Sequence, residues 1–329
     1  MIPIRSAVVT GASGFIGSAL CERLAEEGIR AYAVVRDGRA ERLENLHRCG
    51  TEIIELPALD NAGLKKLFAS ASPDAVFHLA AYGVNPAHRD PDATIDGNLG
   101  FLARLLAAAR EANVGRFIHT GSCHEYGAAP IEETAPRLLR ETDPVAPLST
   151  YGAAKAGSVL YGSAFAAAHD MPFVTLRLFG VFGAEESPHR LIPYVIGRLL
   201  RDEAVDLTSG EQVRDLLYID DVTEAYLIAA RSPMLLPRGV YNVCSGAPER
   251  IRDVVETIAD VVGKPRSLLA FGRRQSRRDE AHWIVGDPAR FVSATGWQPR
   301  ISLREGIARV AAAIVRHSPI ASTSEQRAA

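Results

Sequence analysis

The chain has 329 residues, of which 47% are hydrophobic and 23% are charged, and this composition is ordinary for a globular protein of one large domain or two coupled ones. Its formal net charge of -2 provides no overall basic field, which argues against nucleic acid or an anionic membrane as a partner. No apolar run reaches membrane-spanning length, and the four cysteines lack the CxxC spacing of a zinc or redox site, so no metal is expected.

The scattered cysteines are typical of reduced thiols in the cytosol. Residues from Ile2 onward run directly into a strand-like segment and then a glycine motif, without the pattern of a signal peptide. We therefore expect a cytoplasmic protein.

Short apolar segments alternate with helical stretches through the first half of the chain. The predicted strands are Ser6–Thr10, Ala31–Val35, Glu52–Leu56, Ala75–Leu79, Arg116–Thr120 and Phe173–Leu178. The predicted helices are Phe15–Glu27, Ala62–Ala71, Leu99–Ala112 and Ala153–His169. Apolar strands separated by helices predict a parallel sheet covered on both faces, with right-handed crossovers, and hence a doubly wound α/β fold.

The loop after the first strand reads TGASGFIG from Thr10 to Gly17. Glycines between a strand and a helix allow a tight turn, close approach of the backbone to a pyrophosphate, and close helix–strand packing. The helix N-terminus adds free N–H groups and a partial positive charge. This pattern predicts a dinucleotide site formed by Gly11, Ser13, Gly14, Phe15, Ile16 and Gly17.

The residue that ends the second strand distinguishes NAD from NADP, because a carboxylate there binds the ribose 2′-hydroxyl whereas an arginine accommodates a 2′-phosphate. Counting from the strand gives Arg36, followed by Asp37. Arg36 favours NADP(H) through charge-assisted hydrogen bonds to the phosphate. The alternative, in which Arg36 is a surface residue and Asp37 binds the ribose, leaves NAD(H) open.

Tyr151 and Lys155 form YGAAK, and residues four apart on a helix lie on one face. A lysine ammonium beside a phenol favours the phenolate, so we expect Lys155 to lower the pKa of Tyr151 from roughly 10. A tyrosine with a lowered pKa suits proton transfer near neutral pH. Such a pair is common on helices for structural reasons, so its assignment depends on the glycine loop upstream.

Together, TGASGFIG and YGAAK resemble the short-chain dehydrogenase/reductase superfamily, and Thr120–Gly127 (TGSCHEYG) resembles its extended NAD-dependent epimerase/dehydratase family. The resemblance spans about residues 5 to 310 and includes Asn98 in the central-helix motif. It implies that Ser122, Tyr151 and Lys155 are catalytic, and that Tyr151 and Lys155 also contact the cofactor. It further implies a cofactor-lining segment at HLAA, which contains Leu79, Ala80 and Ala81.

Two later segments resemble those of enzymes that act on nucleotide sugars. Gln212–Val222 (QVRDLLYIDDV) is similar to a segment that places an arginine, here Arg214, on the substrate diphosphate, and Arg277 resembles a second such arginine. Guanidinium groups bind diphosphates well. The resemblance therefore implies a nucleotide-diphosphate sugar as substrate, bound by Ser122, His124, Arg214 and Arg277, and a homodimer as the assembly.

The domain assignment follows from these motifs. Residues 1–178, together with 213–244, are predicted to form an NAD(P)-binding Rossmann domain. Residues 179–212 and 245–317, where Pro, Gly and charged residues break the alternation, are predicted to form a smaller mixed α/β substrate-binding region. The polar residues 318–329 are expected to be a disordered tail.

Departures from the family pattern bear on the reaction. Cys123 and His124 stand where 4,6-dehydratases carry acidic residues, which disfavours a dehydratase, although a histidine can carry protons. Gly180 replaces the asparagine of the RxxNxYGP segment, which removes a polar anchor and is expected to leave room for a bulkier group.

The reaction favoured by the sequence is NADPH-dependent reduction of a nucleotide-linked 4-keto-6-deoxyhexose at C4, a step of deoxysugar biosynthesis. In this reading Tyr151 donates the proton and Ser122 polarises the carbonyl. The alternative is an NAD-dependent nucleotide-sugar 4-epimerase. A 4,6-dehydratase and a non-catalytic cofactor-binding protein are less favoured.

Overall fold

The computed structural model describes residues 1–36, 40–84, 90–127, 137–236, 238–275 and 281–317. Its strands are β1 Ser6–Thr10, β2 Arg30–Val35, β3 Glu52–Glu55, β4 Ala75–His78, β5 Arg116–Ser122, β6 Phe173–Leu178, β7 Gly180–Phe182, β8 Val205–Asp206, β9 Val213–Arg214, β10 Leu216–Tyr218, β11 Val240–Val243, β12 Glu249–Arg250, β13 Leu269–Ala270 and β14 Trp283–Ile284. Its α-helices are α1 Phe15–Glu26, α2 Ala40–Arg48, α3 Asn61–Ala71, α4 Pro91–Ile95, α5 Phe101–Glu111, α6 Thr150–His169, α7 Leu191–Leu200, α8 Ile219–Arg231, α9 Ile251–Val261, α10 Ala289–Thr295 and α11 Leu303–His317.

A seven-stranded parallel sheet forms the centre, with the strand order β11-β6-β5-β4-β1-β2-β3. Strand β1 pairs with β2 on one side and with β4 on the other, so the chain reverses its direction of travel across the sheet between β3 and β4. In such sheets ligands bind in the crevice at the carboxyl ends of the strands, where the order reverses. A ligand crevice is therefore expected at the carboxyl ends of β1 and β4.

The sheet is buried on both faces, since all residues of β4 and β6 are buried and β2 exposes only Arg30. One core includes Leu20 of α1 and Tyr226 of α8, and the other includes Leu64 of α3 and Leu102 of α5. Helices on both sides of a parallel sheet confirm the predicted doubly wound α/β fold.

The C-terminal region has a core of its own, built mainly from one face each of α7, α9 and α11. Its strands form three small sheets, β10-β7, β12-β9-β14 and β13-β8. The buried residues of this core include Val195, Leu199, Val254, Ile258 and Val310. The predicted boundary between the two regions at residues 178 and 179 remains a prediction, and the predicted tail 318–329 lies outside the described residues.

Two predicted helices begin earlier than the sequence indicated. The helix predicted from Leu99 is preceded by α4 and by a π-helical turn at Asp96–Gly100, because Asp90 caps α4 and the glycines of the turn interrupt the apolar periodicity without ending the helix. The helix predicted from Ala153 begins at Thr150, since the Ser149 side chain accepts a hydrogen bond from the Gly152 N–H. Helix α2 was not predicted. Within the described ranges, no helix combines the length and the apolar character needed to cross a bilayer.

Candidate active site

The glycine loop lies directly against the end of β4. Gly11 has a φ of 72°, and a Cβ there would lie 2.7 Å from the Ala80 nitrogen. A Cβ on Gly17 would lie 2.2 Å from the Gly11 carbonyl oxygen, so α1 can start this close to the loop only because the residue is glycine. The cap residue Gly14 supplies no side chain, and the first turn of α1 has no acidic residue. Its N–H groups are therefore available to an anion.

The other predicted cofactor residues border the same crevice. Leu79 and Ala80 are half-buried where the loop meets β4, and Ala81 is exposed just beyond them. Ser13, Phe15 and Ile16 are half-buried, and Phe15 and Ile16 pack against the C-terminal core. An uncapped helix terminus beside the switch point fits the pyrophosphate of a nicotinamide dinucleotide.

Arg36 is exposed at the carboxyl end of β2, in the strand next to the glycine loop. Asp96 of the π-helical turn is near enough to respond to it: the Arg104 hydrogen bond is the main cause that lowers the pKa of Asp96, and Arg36 adds to it. Asp37, the alternative ribose ligand, lies outside the described residues. Arg36 therefore places a positive charge at the carboxyl end of β2, beside the glycine loop.

Ser122 ends β5 and caps a single 3-10 turn, Cys123–Glu125. Its hydroxyl accepts a hydrogen bond from the His124 N–H at 3.2 Å, and its own N–H donates to Glu125 Oε1 at 2.7 Å. This capping box holds the Ser122 side chain through both ends of the turn. The hydroxyl proton remains available to a substrate oxygen or to Tyr151.

Tyr151 and Ser122 are brought together as the sequence predicted, since the Ser122 side chain is close enough to act on the Tyr151 phenol and lower its pKa. The expected lowering of the Tyr151 pKa is wrong for this site. Burial raises the pKa of Tyr151, and the opposing effects of Ser122 and of Arg190 do not overcome it. The physical reason is that the phenolate loses more stabilisation by leaving water than it gains from Ser122 and Arg190.

Lys155 is only 2% exposed, and burial lowers its pKa to about 8, with Glu125 opposing that effect. Two buried imidazoles, His78 and His119, lie near it, and burial together with the Lys155 charge lowers the pKa of each. Both rings are therefore neutral near pH 8. The Ser158 hydroxyl donates to the Lys155 carbonyl oxygen at 2.7 Å and fixes this part of α6.

His124, one of the residues predicted to bind substrate, lies next to Tyr151. The His124 ring lies 6.0 Å from the Tyr151 ring, edge to face. Burial, and then the charges of Arg214 and Arg190, lower the pKa of His124. Arg214 is half-buried, and its Nη1 donates to the Val213 carbonyl oxygen at 2.9 Å. The structure thus brings His124 to Tyr151 and Arg214 near His124, whereas Arg277 lies outside the described residues.

Cys123 and Gly180 were singled out as departures from the family pattern. Burial raises the pKa of the Cys123 thiol to about 12, so it carries no proton to or from substrate near neutral pH. The expectation that Gly180 leaves room for a bulkier group is wrong. A Cβ there would lie 2.6 Å from the Asp215 carbonyl oxygen, so protein backbone already fills that space.

Two residues near the site were missed by the sequence analysis. Glu125 was recognisable, because Ser122 and Glu125 have the S-x-x-E spacing of a capping box. Arg190 caps α7 and bonds Glu186 through Nε at 3.0 Å, and no motif in the sequence marks it as a neighbour of Tyr151.

A dinucleotide crevice at the switch point, with a half-buried tyrosine, a buried lysine and a serine beside it, defines a nicotinamide-dependent oxidoreductase of the doubly wound class. A sequence profile of the NAD dependent epimerase/dehydratase family matches residues 7–244, and the chain belongs to this family. Its members use nicotinamide dinucleotides and include enzymes that act on nucleotide sugars.

Similar proteins cover nearly the whole chain. A UDP-glucose 4-epimerase of Mycolicibacterium smegmatis is 32% identical over 92% of this chain and 96% of its own length. A dTDP-6-deoxy-L-talose 4-dehydrogenase (NAD(P)(+)) of Kitasatospora kifunensis is 29% identical, with 93% and 94% covered. The structure of Thermus thermophilus UDP-glucose 4-epimerase in complex with NAD is 28% identical, covers 95% of this chain and all of that one, and gives a TM-score of 0.82.

Proposed function

We propose that this protein uses NADPH to reduce the C4 ketone of a nucleotide-linked 4-keto-6-deoxyhexose. The observation that carries the proposal is Arg36, an exposed cation at the carboxyl end of β2 beside the glycine loop. An arginine at this position accommodates the 2′-phosphate that distinguishes NADP from NAD. NADPH is the nicotinamide cofactor that cells keep reduced for reductive steps.

The side chains of the site suit reduction of a ketone. Ser122 orients the carbonyl oxygen by donating its hydroxyl proton, and Tyr151 gives the proton that converts the developing alkoxide into an alcohol. Lys155 supplies positive charge beside the tyrosine and can hold the nicotinamide ribose. The reduced nicotinamide, when bound, supplies the hydride. One hydride and one proton thus convert the ketone into a secondary alcohol.

The residues beside Ser122 argue against loss of water. A 4,6-dehydratase needs an acid and a base next to the reacting carbons, whereas this chain offers a thiol with a raised pKa, Cys123, and an imidazole with a lowered one, His124. Tyr151 is therefore the proton-transfer group of this site, and a single such group is sufficient to reduce or oxidise one carbon of the sugar.

The relatives support both candidate reactions. The Kitasatospora enzyme is named for dehydrogenation at C4 of a dTDP-6-deoxy sugar with NAD(P)+, and the reverse of that reaction is a C4 ketone reduction. The Mycolicibacterium enzyme is named as a UDP-glucose 4-epimerase, and its 32% identity favours 4-epimerisation as the second candidate. Arg214, close to His124, is proposed to bind the substrate diphosphate in either reaction.

Cofactor preference tests the role of Arg36. We expect kcat/KM for NADPH to exceed that for NADH in the natural protein. Arg36→Gln should lower the NADPH value about 10- to 100-fold, as expected for loss of a charge-assisted hydrogen bond, and leave the NADH value nearly unchanged.

Arg5→Gln is the matched control, because Arg5 is an exposed arginine just before the amino end of β1, at the opposite end of the strands from Arg36. It should alter neither value. Equal use of both cofactors, unaffected by Arg36→Gln, would contradict the proposal. NAD that copurifies with the protein, without net oxidation of NADPH, would favour the epimerase.

A further inference from the structure

The feature of interest is a buried carboxylate, Glu125, which the proposed reaction does not use directly. Its side chain is fully buried, and Oε2 accepts a hydrogen bond from Arg177 Nε at 2.7 Å. Its other oxygen accepts the Ser122 N–H, also at 2.7 Å. A buried charge persists only when it is paired and hydrogen-bonded, and both conditions are met here.

The surrounding residues are arranged to admit this ion pair. A Cβ at Gly121 would lie 2.7 Å from Glu125 Oε1 and 3.0 Å from Arg177 Cγ, so only glycine lets the two side chains meet. The Arg177 guanidinium lies 4.5 Å from the centre of the Tyr126 ring, and the Tyr126 hydroxyl donates to Asn242 Oδ1 at 2.8 Å. The carboxylate is therefore held in place from β5 and β6, and the tyrosine that packs on Arg177 is bonded to β11.

The turn that carries Glu125 packs directly on the catalytic helix. A Cβ at Gly152 of α6 would lie 2.4 Å from the His124 carbonyl oxygen, which leaves no gap between the turn and the segment that holds Tyr151 and Lys155. The fixed negative charge of Glu125 consequently lies within electrostatic reach of both catalytic groups.

We infer that Glu125 is a positioning residue for the proposed reduction: it holds the turn that carries Ser122, and it keeps both Tyr151 and Lys155 protonated. A ketone reductase needs a phenol that can donate, whereas the oxidation of an alcohol needs a phenolate that can accept. This inference rests on the proposed function, and it names the group that favours the protonated state of both catalytic side chains.

The electrostatics of the other neighbours agree. Burial lowers the pKa of Lys155, and Glu125 is the charged group that opposes this effect. Burial raises the pKa of Tyr151, and Cys123 and then Glu125 raise it further. Lys155 is faced by His78 of β4 and His119 of β5, which are both neutral. Tyr151 is faced by Cys123 and His124 of the 3-10 turn, by Tyr226 of α8, and by Arg190 at the start of α7, which acts against Glu125.

The test is a direct titration of Lys155, which needs neither cofactor nor substrate. The chain contains only four lysines, Lys65, Lys66, Lys155 and Lys264, so isotope-labelled lysine gives a simple NMR spectrum, and Lys155→Met identifies the signal. In the natural protein we expect a pKa of about 8. Glu125→Gln should lower it by roughly one unit, the effect of losing one neighbouring opposite charge.

Glu141→Gln is the matched control, because Glu141 also accepts a backbone N–H at 2.7 Å, from Asn242, but does not act on Lys155. It should leave the Lys155 pKa unchanged. If Glu125→Gln does not fold, the double variant Glu125→Gln with Arg177→Met removes both buried charges. The Lys155 pKa should again fall, by less than in the single variant, because the Arg177 cation is lost as well.

Glu125→Asp separates charge from placement. It keeps the negative charge with a shorter side chain, so the Lys155 pKa should stay near that of the natural protein while kcat falls through a displaced Ser122. A Lys155 pKa that is the same in Glu125→Gln as in the natural protein would overturn the inference. A lowered pKa in a protein that reduces no ketone would instead overturn only the proposed function.

Discussion

At the scale of single residues, the site is dominated by the cost of burial. Tyr151 and Lys155 are both desolvated, which favours a neutral phenol and weakens the ammonium. The sequence predicted the pair and its spacing but gave the wrong direction for the Tyr151 pKa, because a motif does not report how deeply its residues are buried. The structure describes a tyrosine that starts as a proton donor.

Removal of the Tyr151 hydroxyl should slow turnover strongly without preventing cofactor binding. Tyr151→Phe is expected to lower kcat about 10²- to 10⁴-fold, the usual contribution of a general acid. Steady-state kinetics and fluorescence titration with NADPH measure the two effects separately. Tyr161→Phe, on the exposed side of the same helix, is the control and should retain full activity. Comparable activity in the two variants would remove Tyr151 from the mechanism.

Lys155 predicts opposite pH effects on activity and stability. Its pKa in the folded protein, about 8, lies below the ordinary value of 10.5, so between these values the unfolded chain binds more protons than the folded one. Folding stability should therefore rise with pH in this window, by about 1 kcal/mol between pH 8 and pH 9, while activity falls as the ammonium is lost.

Urea unfolding at several pH values measures the stability effect. Lys155→Met should lack the rise, and comparison with this variant cancels the titration of thiols and other groups shared by both proteins. A natural protein and a Lys155→Met variant with parallel pH profiles would contradict the assigned pKa.

At the scale of elements, the first βα unit is defined by close backbone approach rather than by side chains. This is why the glycine loop was the most informative part of the sequence: three glycines at fixed spacing have few other uses between a strand and a helix. The true starts of the helices predicted from Leu99 and Ala153 were less predictable. They depend on the local caps Asp90 and Ser149, and on a π-helical turn where Asn98 donates to the Tyr82 carbonyl oxygen at 2.9 Å.

Two glycine substitutions should have opposite effects. Gly17→Ala forces a Cβ to within 2.2 Å of the Gly11 carbonyl oxygen, so α1 must move, and both NADPH affinity and melting temperature should fall. Gly197→Ala, within α7, brings its Cβ no nearer than 3.6 Å to the end of the Arg201 side chain and should stabilise the protein by about 0.4–1 kcal/mol. Calorimetry and cofactor titration compare the two, and a harmless Gly17→Ala would contradict the loop geometry.

At the scale of the whole molecule, the doubly wound class was predictable because buried parallel strands and right-handed crossovers allow few arrangements. The C-terminal region was not, since its short strands and its core from α7, α9 and α11 depend on contacts distant in sequence. The same limit applied to Arg190, which only the folded chain brings near Tyr151.

We expect a homodimer, as the family resemblance implies. Leu160 and Tyr161 of α6 and Ile95 of the adjacent α4 are exposed apolar residues, with Leu160 68% exposed. Leu160→Lys should shift the protein from dimer to monomer in light scattering, whereas Leu236→Lys, at another exposed leucine, should not. A dimer that survives Leu160→Lys would place the interface elsewhere.

The proposed reduction of the C4 ketone is tested most directly by the stoichiometry of NADPH oxidation when the purified protein is mixed with a nucleotide-linked 4-keto-6-deoxyhexose. The change in nicotinamide absorbance is followed to completion, with NADH in a parallel reaction and Tyr151→Phe as the blank. We predict one NADPH oxidised for each ketone consumed, with a 4-hydroxy sugar nucleotide as the product. Interconversion of a UDP-sugar and its C4 epimer without any loss of NADPH would contradict the account and establish the epimerase.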